Sequence, residues 1–134
     1  MFEALDMGAS GLLAQRTRMD TIAGNIANMN TTHDAAGRAN PYRRRFVVFA
    51  PGQAGDPSKP GVHVQSVQED QSALVKKFEP GNPDADKDGY VQYPNVDMSI
   101  EFVNALEASR AYEANISMME TAKGMFTSSL RLLA

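Results

Sequence analysis

Cysteine is missing from all 134 residues, so disulfides, thiol redox chemistry and thiolate metal sites are excluded. No apolar run approaches the roughly 18 residues of a membrane span. The formal net charge of -3 offers none of the basic excess that holds nucleic acid. The only two histidines, His33 and His63, are isolated, with no spacing that makes a metal site. No glycine-rich phosphate loop follows a strand, because Gly8-Ala-Ser-Gly11 lies inside a helical pattern. No serine has a histidine at a motif distance. The sequence therefore points to no enzyme, no cofactor and no small-molecule substrate. The opening Met1-Phe2-Glu3-Ala4-Leu5-Asp6 lacks a basic stretch followed by an apolar one, so no cleaved signal peptide is expected, and passage out of the cytoplasm would need another route.

What is present concentrates at the two ends. From Asp97 to Leu133 there is no proline, and Gly124 is the one glycine. Ala105, Tyr112, Met119, Phe126 and Leu133 recur every seven residues, and Ala111, Met118, Met125 and Leu132 repeat one position earlier. With Ala108, Asn115, Ala122 and Ser129 they merge into one broad helical stripe about 55 Å long. Residues 2–28 predict a second helix, with Leu5, Leu12, Met19 and Ile26 in one heptad row and Phe2, Ala9, Arg16 and Ala23 in another. Gly8, Gly11 and Gly24 each cost about 1 kcal/mol against alanine there, but they leave a thin helix that another backbone can approach. Asn28-Met29-Asn30-Thr31-Thr32 supplies a cap and a turn.

Between the helices the pattern changes. Tyr42–Ala50, a run around Val62–Val67, Ala73–Phe78 and Tyr90–Tyr93 predict short strands, punctuated by Pro51-Gly52 and Pro80-Gly81 and closed by Pro94. They suffice for one small sheet packed against a helix. The expected fold class is α+β: two long antiparallel, coiled-coil-like terminal helices with a small β-rich insert at one end. The expected division is a discontinuous helical core of residues 1–33 and 95–134 around an insert of residues 34–94.

Two segments invite other readings. Asp84-Ala-Asp86-Lys-Asp88-Gly89 matches the first half of an EF-hand calcium loop. Asn95 stands where the bidentate glutamate belongs, and Glu79-Pro-Gly-Asn-Pro83 cannot be an entering helix, so a solvated turn that needs Gly89 for its backbone angle is favoured. Arg43-Arg44-Arg45 alternates between two strand faces, which argues for a solvated strand start or a salt-bridging contact over a phosphate patch.

The breadth of the C-terminal stripe decides among classes. Two paired helices bury only their facing stripes, so apolar surface would stay exposed along about 40 Å. A closed soluble monomer avoids that, whereas a subunit with neighbours on several sides requires it. A calcium-binding module and a secreted two-helix adaptor forming a closed dimer are the rival readings.

Several blocks carry a resemblance. Asn25-Ile-Ala-Asn28-Met-Asn-Thr31 resembles the signature shared by bacterial flagellar rod and hook proteins. Tyr42-Arg43-Arg44, then Gly89-Tyr90-Val91 with Pro94-Asn95-Val96-Asp97, then Ala108-Ser109-Arg110-Ala111-Tyr112-Glu113-Ala114-Asn115, and finally Lys123-Gly124-Met125 are similar to the short proximal members of the basal-body rod family. The extra aspartates before Gly89 depart from that pattern. The resemblance implies a structural, self-associating subunit of a periplasmic shaft, exported without a cleaved signal, whose neighbours are other rod proteins and the base of the basal body. On this reading residues 2–28 and 97–133 pair and line a tube. Leu5, Leu12, Met19, Ile26, Asn28, Tyr112, Asn115, Met119 and Phe126 are the candidate assembly residues, with Asn115 fixing register. The insert lies outward, and both termini of a free monomer are partly disordered.

Overall fold

The computed structural model describes residues 2–134. Helix α1 spans Phe2–Ala27 and helix α2 spans Met98–Leu133, with four strands between them: β1 (Arg45–Pro51), β2 (Val62–Glu69), β3 (Val75–Phe78) and β4 (Tyr90–Tyr93). The fold is α+β, two terminal helices around a small antiparallel β region.

The helices pair antiparallel along their lengths. Phe2 meets Phe126 with ring centroids 6.3 Å apart, Arg18 reaches Glu107 at 3.6 Å, and Asn25 meets Glu101. Local chemistry sets their bounds. The Asp97 carboxylate accepts the Ser99 and Ile100 amides at 2.9 and 3.2 Å, capping two donors that α2 leaves unmet. At the other end α1 stops where the Asn28 side chain donates to the Gly24 carbonyl at 2.9 Å and accepts from Thr31 Oγ1 at 3.1 Å, closing the turn.

The strands do not merge into the single sheet that their count suggests. They form two separate hairpins, β1–β2 and β3–β4. A turn at residues 70–72 divides them: Asp70 accepts the Ser72 amide at 2.9 Å, and Asn95 Nδ2 holds the Asp70 and Ser72 carbonyls at 3.1 and 3.3 Å. Those carbonyls are spent on side chains, so the strand direction breaks there. Nor does the whole insert sit at one end of the helix pair. The β1–β2 hairpin folds back along α1, where Ser10 Oγ accepts the Val62 amide at 3.2 Å. The β3–β4 hairpin encloses Val91, which is buried, and pairs the Phe78 and Tyr90 rings edge-on at 5.4 Å.

Gly89 does adopt the left-handed backbone its turn demands, at φ +83°. A Cβ there would also press on the Phe78 ring at 2.9 Å.

Candidate assembly surface and the polar knot beneath it

Where α1 ends and α2 begins, polar groups fill the interior. Asn25 and Glu101 are wholly buried. Asn25 Nδ2 donates to the Arg45 carbonyl at 2.8 Å and to Glu101 Oε2 at 3.3 Å. Its Oδ1 accepts from the Arg45 amide at 2.8 Å and from the Tyr42 hydroxyl at 2.9 Å. The other Glu101 oxygen accepts from Arg44 Nε, and Arg44 Nη1 reaches Asp70 at 3.5 Å. The Arg44 amide is in turn held by Asn95 Oδ1 at 2.8 Å. Burial pushes the Tyr42 phenol above its ordinary range, so it stays a donor. Every member of this knot has a partner, which is the condition under which buried charge is tolerated. It ties α1, the entry to β1, the β2–β3 turn and α2 into one unit.

Farther along the pair the chemistry reverses. Gly8 and Gly11 are buried at the centre of the α1 face, against Met119 and Asn115. A Cβ at Gly8 would overlap the Met119 side chain, and one at Gly11 would lie 2.9 Å from Asn115 Nδ2. Close approach of the two helices at this level therefore depends on the missing side chains. Leu5, Leu12, Met19 and Ile26 are half-buried on the shoulder of the contact, while its centre is taken by Gly8, Gly11, Ala14, Ile22 and Asn25. Leu5, Leu12 and Met119 come together with Ile116 in an open apolar groove of about 310 Å³ along that shoulder. Tyr112, Asn115 and Met119 are half-buried, Asn115 and Met119 against α1, and the Phe126 ring lies beside that of Phe2 with both still exposed. Asn28 serves the end of its own helix through the bonds to Gly24 and Thr31.

The width of the α2 stripe has the consequence that its two heptad rows implied. Ala105, Tyr112 and Met119 turn inward, while Met118, Met125 and Leu132 are increasingly exposed, reaching 67% at Met125 and 89% at Leu132. On α1, Phe2, Ala9, Arg16 and Ala23 form an uncovered row. Near the start of α2, Ile100, Phe102, Val103 and Leu106 are also all exposed. Apolar side chains thus wrap much of α2, and α1 covers one side of it only.

Comparison with known proteins finds family matches at both ends of the chain. A model of flagella basal body rod proteins matches residues 5–32, and a model of the C-terminal region of flagellar basal body rod FlgEFG proteins matches residues 87–132. The flagellar basal-body rod protein FlgC of Salmonella typhimurium is 43% identical, over 98% of this chain and 97% of its own length. FlgC of Borreliella burgdorferi is 39% identical over 99% and 97%, and FlgC of Bacillus subtilis 38% over 98% and 97%.

The chain belongs to the FlgC family of flagellar basal-body rod proteins.

Within the FlgC frame, the two matched segments bring most of α1 together with β4 and most of α2, and so contain Asn25 and Glu101 at the heart of the knot. Tyr42, Arg44 and Asn95, which stood out in the sequence as recognition blocks, prove to be the knot's other members. Arg44 finds its acidic partners inside its own chain. Glu101 went unnoticed in the sequence, since a glutamate in the first turns of a helix normally faces water. Its signal was position: it follows the Asp97 cap by one helical turn, on the face that meets α1.

The acidic loop is occupied with its own backbone. Asp86 accepts the Asp88 and Tyr90 amides, both at 2.9 Å, and Asp84 pairs with His33 at 2.9 Å. Among the described residues no three acidic or histidine groups converge to hold a cation. Nothing in the geometry or among the FlgC relatives supports Asp84, Asp86 and Asp88 as a calcium site. Among the described residues no helix is long and apolar enough to cross a membrane.

Proposed function

We propose that this chain is a structural subunit of the proximal flagellar rod, which polymerises through its terminal helices into the shaft that carries motor torque. The single observation behind this reading is the apolar face that remains on α2 after α1 has packed against it. Met125 and Leu132 lie on it, 67% and 89% exposed, and the chain itself offers them little cover. In a tube each subunit meets neighbours on more than one side, and a heterologous contact that does not close extends into a helical assembly. The helical core of residues 1–33 and 95–134 then forms the inner wall and the insert of residues 34–94 lies outward. Leu5, Leu12, Met19, Ile26, Tyr112, Asn115, Met119 and Phe126 shape the packing surface, with the methionines filling irregular gaps between unlike neighbours. Other rod proteins and the base of the basal body are the partners. Export proceeds through the flagellar secretion route without a cleaved leader.

Met125→Glu tests the reading. The side chain is exposed, so the isolated chain should keep its stability to within about 0.5 kcal/mol. Basal bodies purified from cells carrying this variant should lack a rod, while the protein is still exported. Normal motility with intact rods would remove the assembly role from this face.

A further inference from the structure

The α2 helix runs past the start of α1. The pairings of Gly11 with Asn115 and of Asn25 with Glu101 place Leu130 beyond Phe2, and Leu130, Leu132 and Leu133 are 50%, 89% and 86% exposed. The one charged side chain on this overhang is Arg131. On the opposite side of α1 from the Leu5–Met119 groove lies a second cavity of about 410 Å³, between α1 and the β1–β2 hairpin. Ala9, Leu13, Ala14, Ala54 and Val62 give it an apolar lining, and Asp6 stands at its edge. Leu13 is 63% exposed there, an apolar side chain with no cover of its own. His63 also lines the cavity, with its Nδ1 hydrogen-bonded to the Gly52 carbonyl at 2.8 Å.

The geometry points to a head-to-tail contact in which the α2 overhang of one copy seats in this groove of a second copy. Leucines from the overhang fill the apolar floor, and Arg131 meets Asp6. The groove centre lies roughly 15 residues along α1 from the level of Leu130, so the two copies are staggered by ~20 Å and point the same way. Overhang and groove are different surfaces on copies that point the same way, so the contact is heterologous and propagates. This contact rests on the rod-subunit reading and specifies one of its interfaces.

The lack of native cysteine makes the test direct. Two single-cysteine chains, Ala54→Cys and Leu132→Cys, are mixed and mildly oxidised, both as purified protein and in intact basal bodies. Both positions are exposed, so folding is not at stake. Disulfide-linked dimers should form between these two chains and not between Leu132→Cys and Ser117→Cys, which lies about four turns back along α2 and does not line the groove. Arg131→Asp in the Leu132→Cys chain should lower the yield about threefold, the scale of an exposed ion pair. Asp6→Arg in the Ala54→Cys chain should restore it. Equal coupling to Ser117→Cys, no dimer in either setting, or coupling of Leu132→Cys to a different rod protein would each overturn the proposal. If rods still require Met125 in those cases, the rod-subunit reading survives and this interface alone falls.

Discussion

The two ends of the same helix pair are built on opposite principles. At the root, Asn25, Tyr42, Arg44, Asn95 and Glu101 satisfy one another in a dry interior. At the far end Gly8 and Gly11 let Met119 and Asn115 in close, and little else is buried: α2 has no buried residue after Ala108. The root is complete within one chain. The far end has hydrophobic surface without cover, which is affordable only where neighbours supply the rest. Directional bonds hold the subunit's own geometry, and non-directional packing is kept for its relations with others.

Glu101→Ala should widen the contrast most. It strands Arg44 and Asn25 in the interior, at a cost of about 3–5 kcal/mol. Urea unfolding followed by circular dichroism should show the loss, with both helices and the β1–β2 hairpin destabilised together. An effect below 1 kcal/mol would mean that the root is not the stabilising centre.

Gly8→Val attacks the other end. It overpacks the site against Met119 and should cost about 1–3 kcal/mol. Shortening Met119 to alanine in the same chain should recover part of that loss, because the two residues are in direct contact. Full additivity would place them apart. Hydrogen exchange measures the gradient without mutation: in the isolated chain, α2 amides near Ala108 should be the most protected and those after Ala122 should exchange far faster.

Acid gives the smallest effect. The Ser72 amide, followed by other bonds to Ser72 and by Arg44, holds the Asp70 carboxyl below its ordinary value of 3.8. A depressed carboxylate stabilises the fold above pH 3.8 and loses that contribution as pH falls through its lower native value. Asp70→Asn should flatten this acid limb by less than about 1 kcal/mol, the scale of a partly exposed pair. The change should appear as loosening of the turn between the hairpins, ahead of any melting of the far helices.

These elements differ in how far the sequence disclosed them. Heptad rows announced both helices, and the excess of apolar rows on α2 announced a face that one partner would not cover. Asp84-Ala-Asp86-Lys-Asp88-Gly89 was legible as a turn because Gly89 must take a positive φ. Periodicity did not locate the centre of the α1 contact. Counting hydrophobic residues favours Leu5 and Leu12, whereas close packing favours Gly8 and Gly11, and glycine carries no hydrophobic signal. Glu101 was illegible for a related reason: its burial depends on Arg44, a residue 57 positions away. The split into two hairpins depended likewise on the Asn95 side chain crossing to the turn at residues 70–72. Features set by local spacing could be read; those set by a distant partner had to be seen.

Anchoring at one end also has a mechanical meaning. A helix pair tied by directional bonds at its base and held by packing alone beyond it resists twist at the base, while its exposed tips can spread or close by small amounts. Small misfits between a subunit and its neighbours can then be taken up as gentle bending at the far ends of the helices, while the base keeps its geometry.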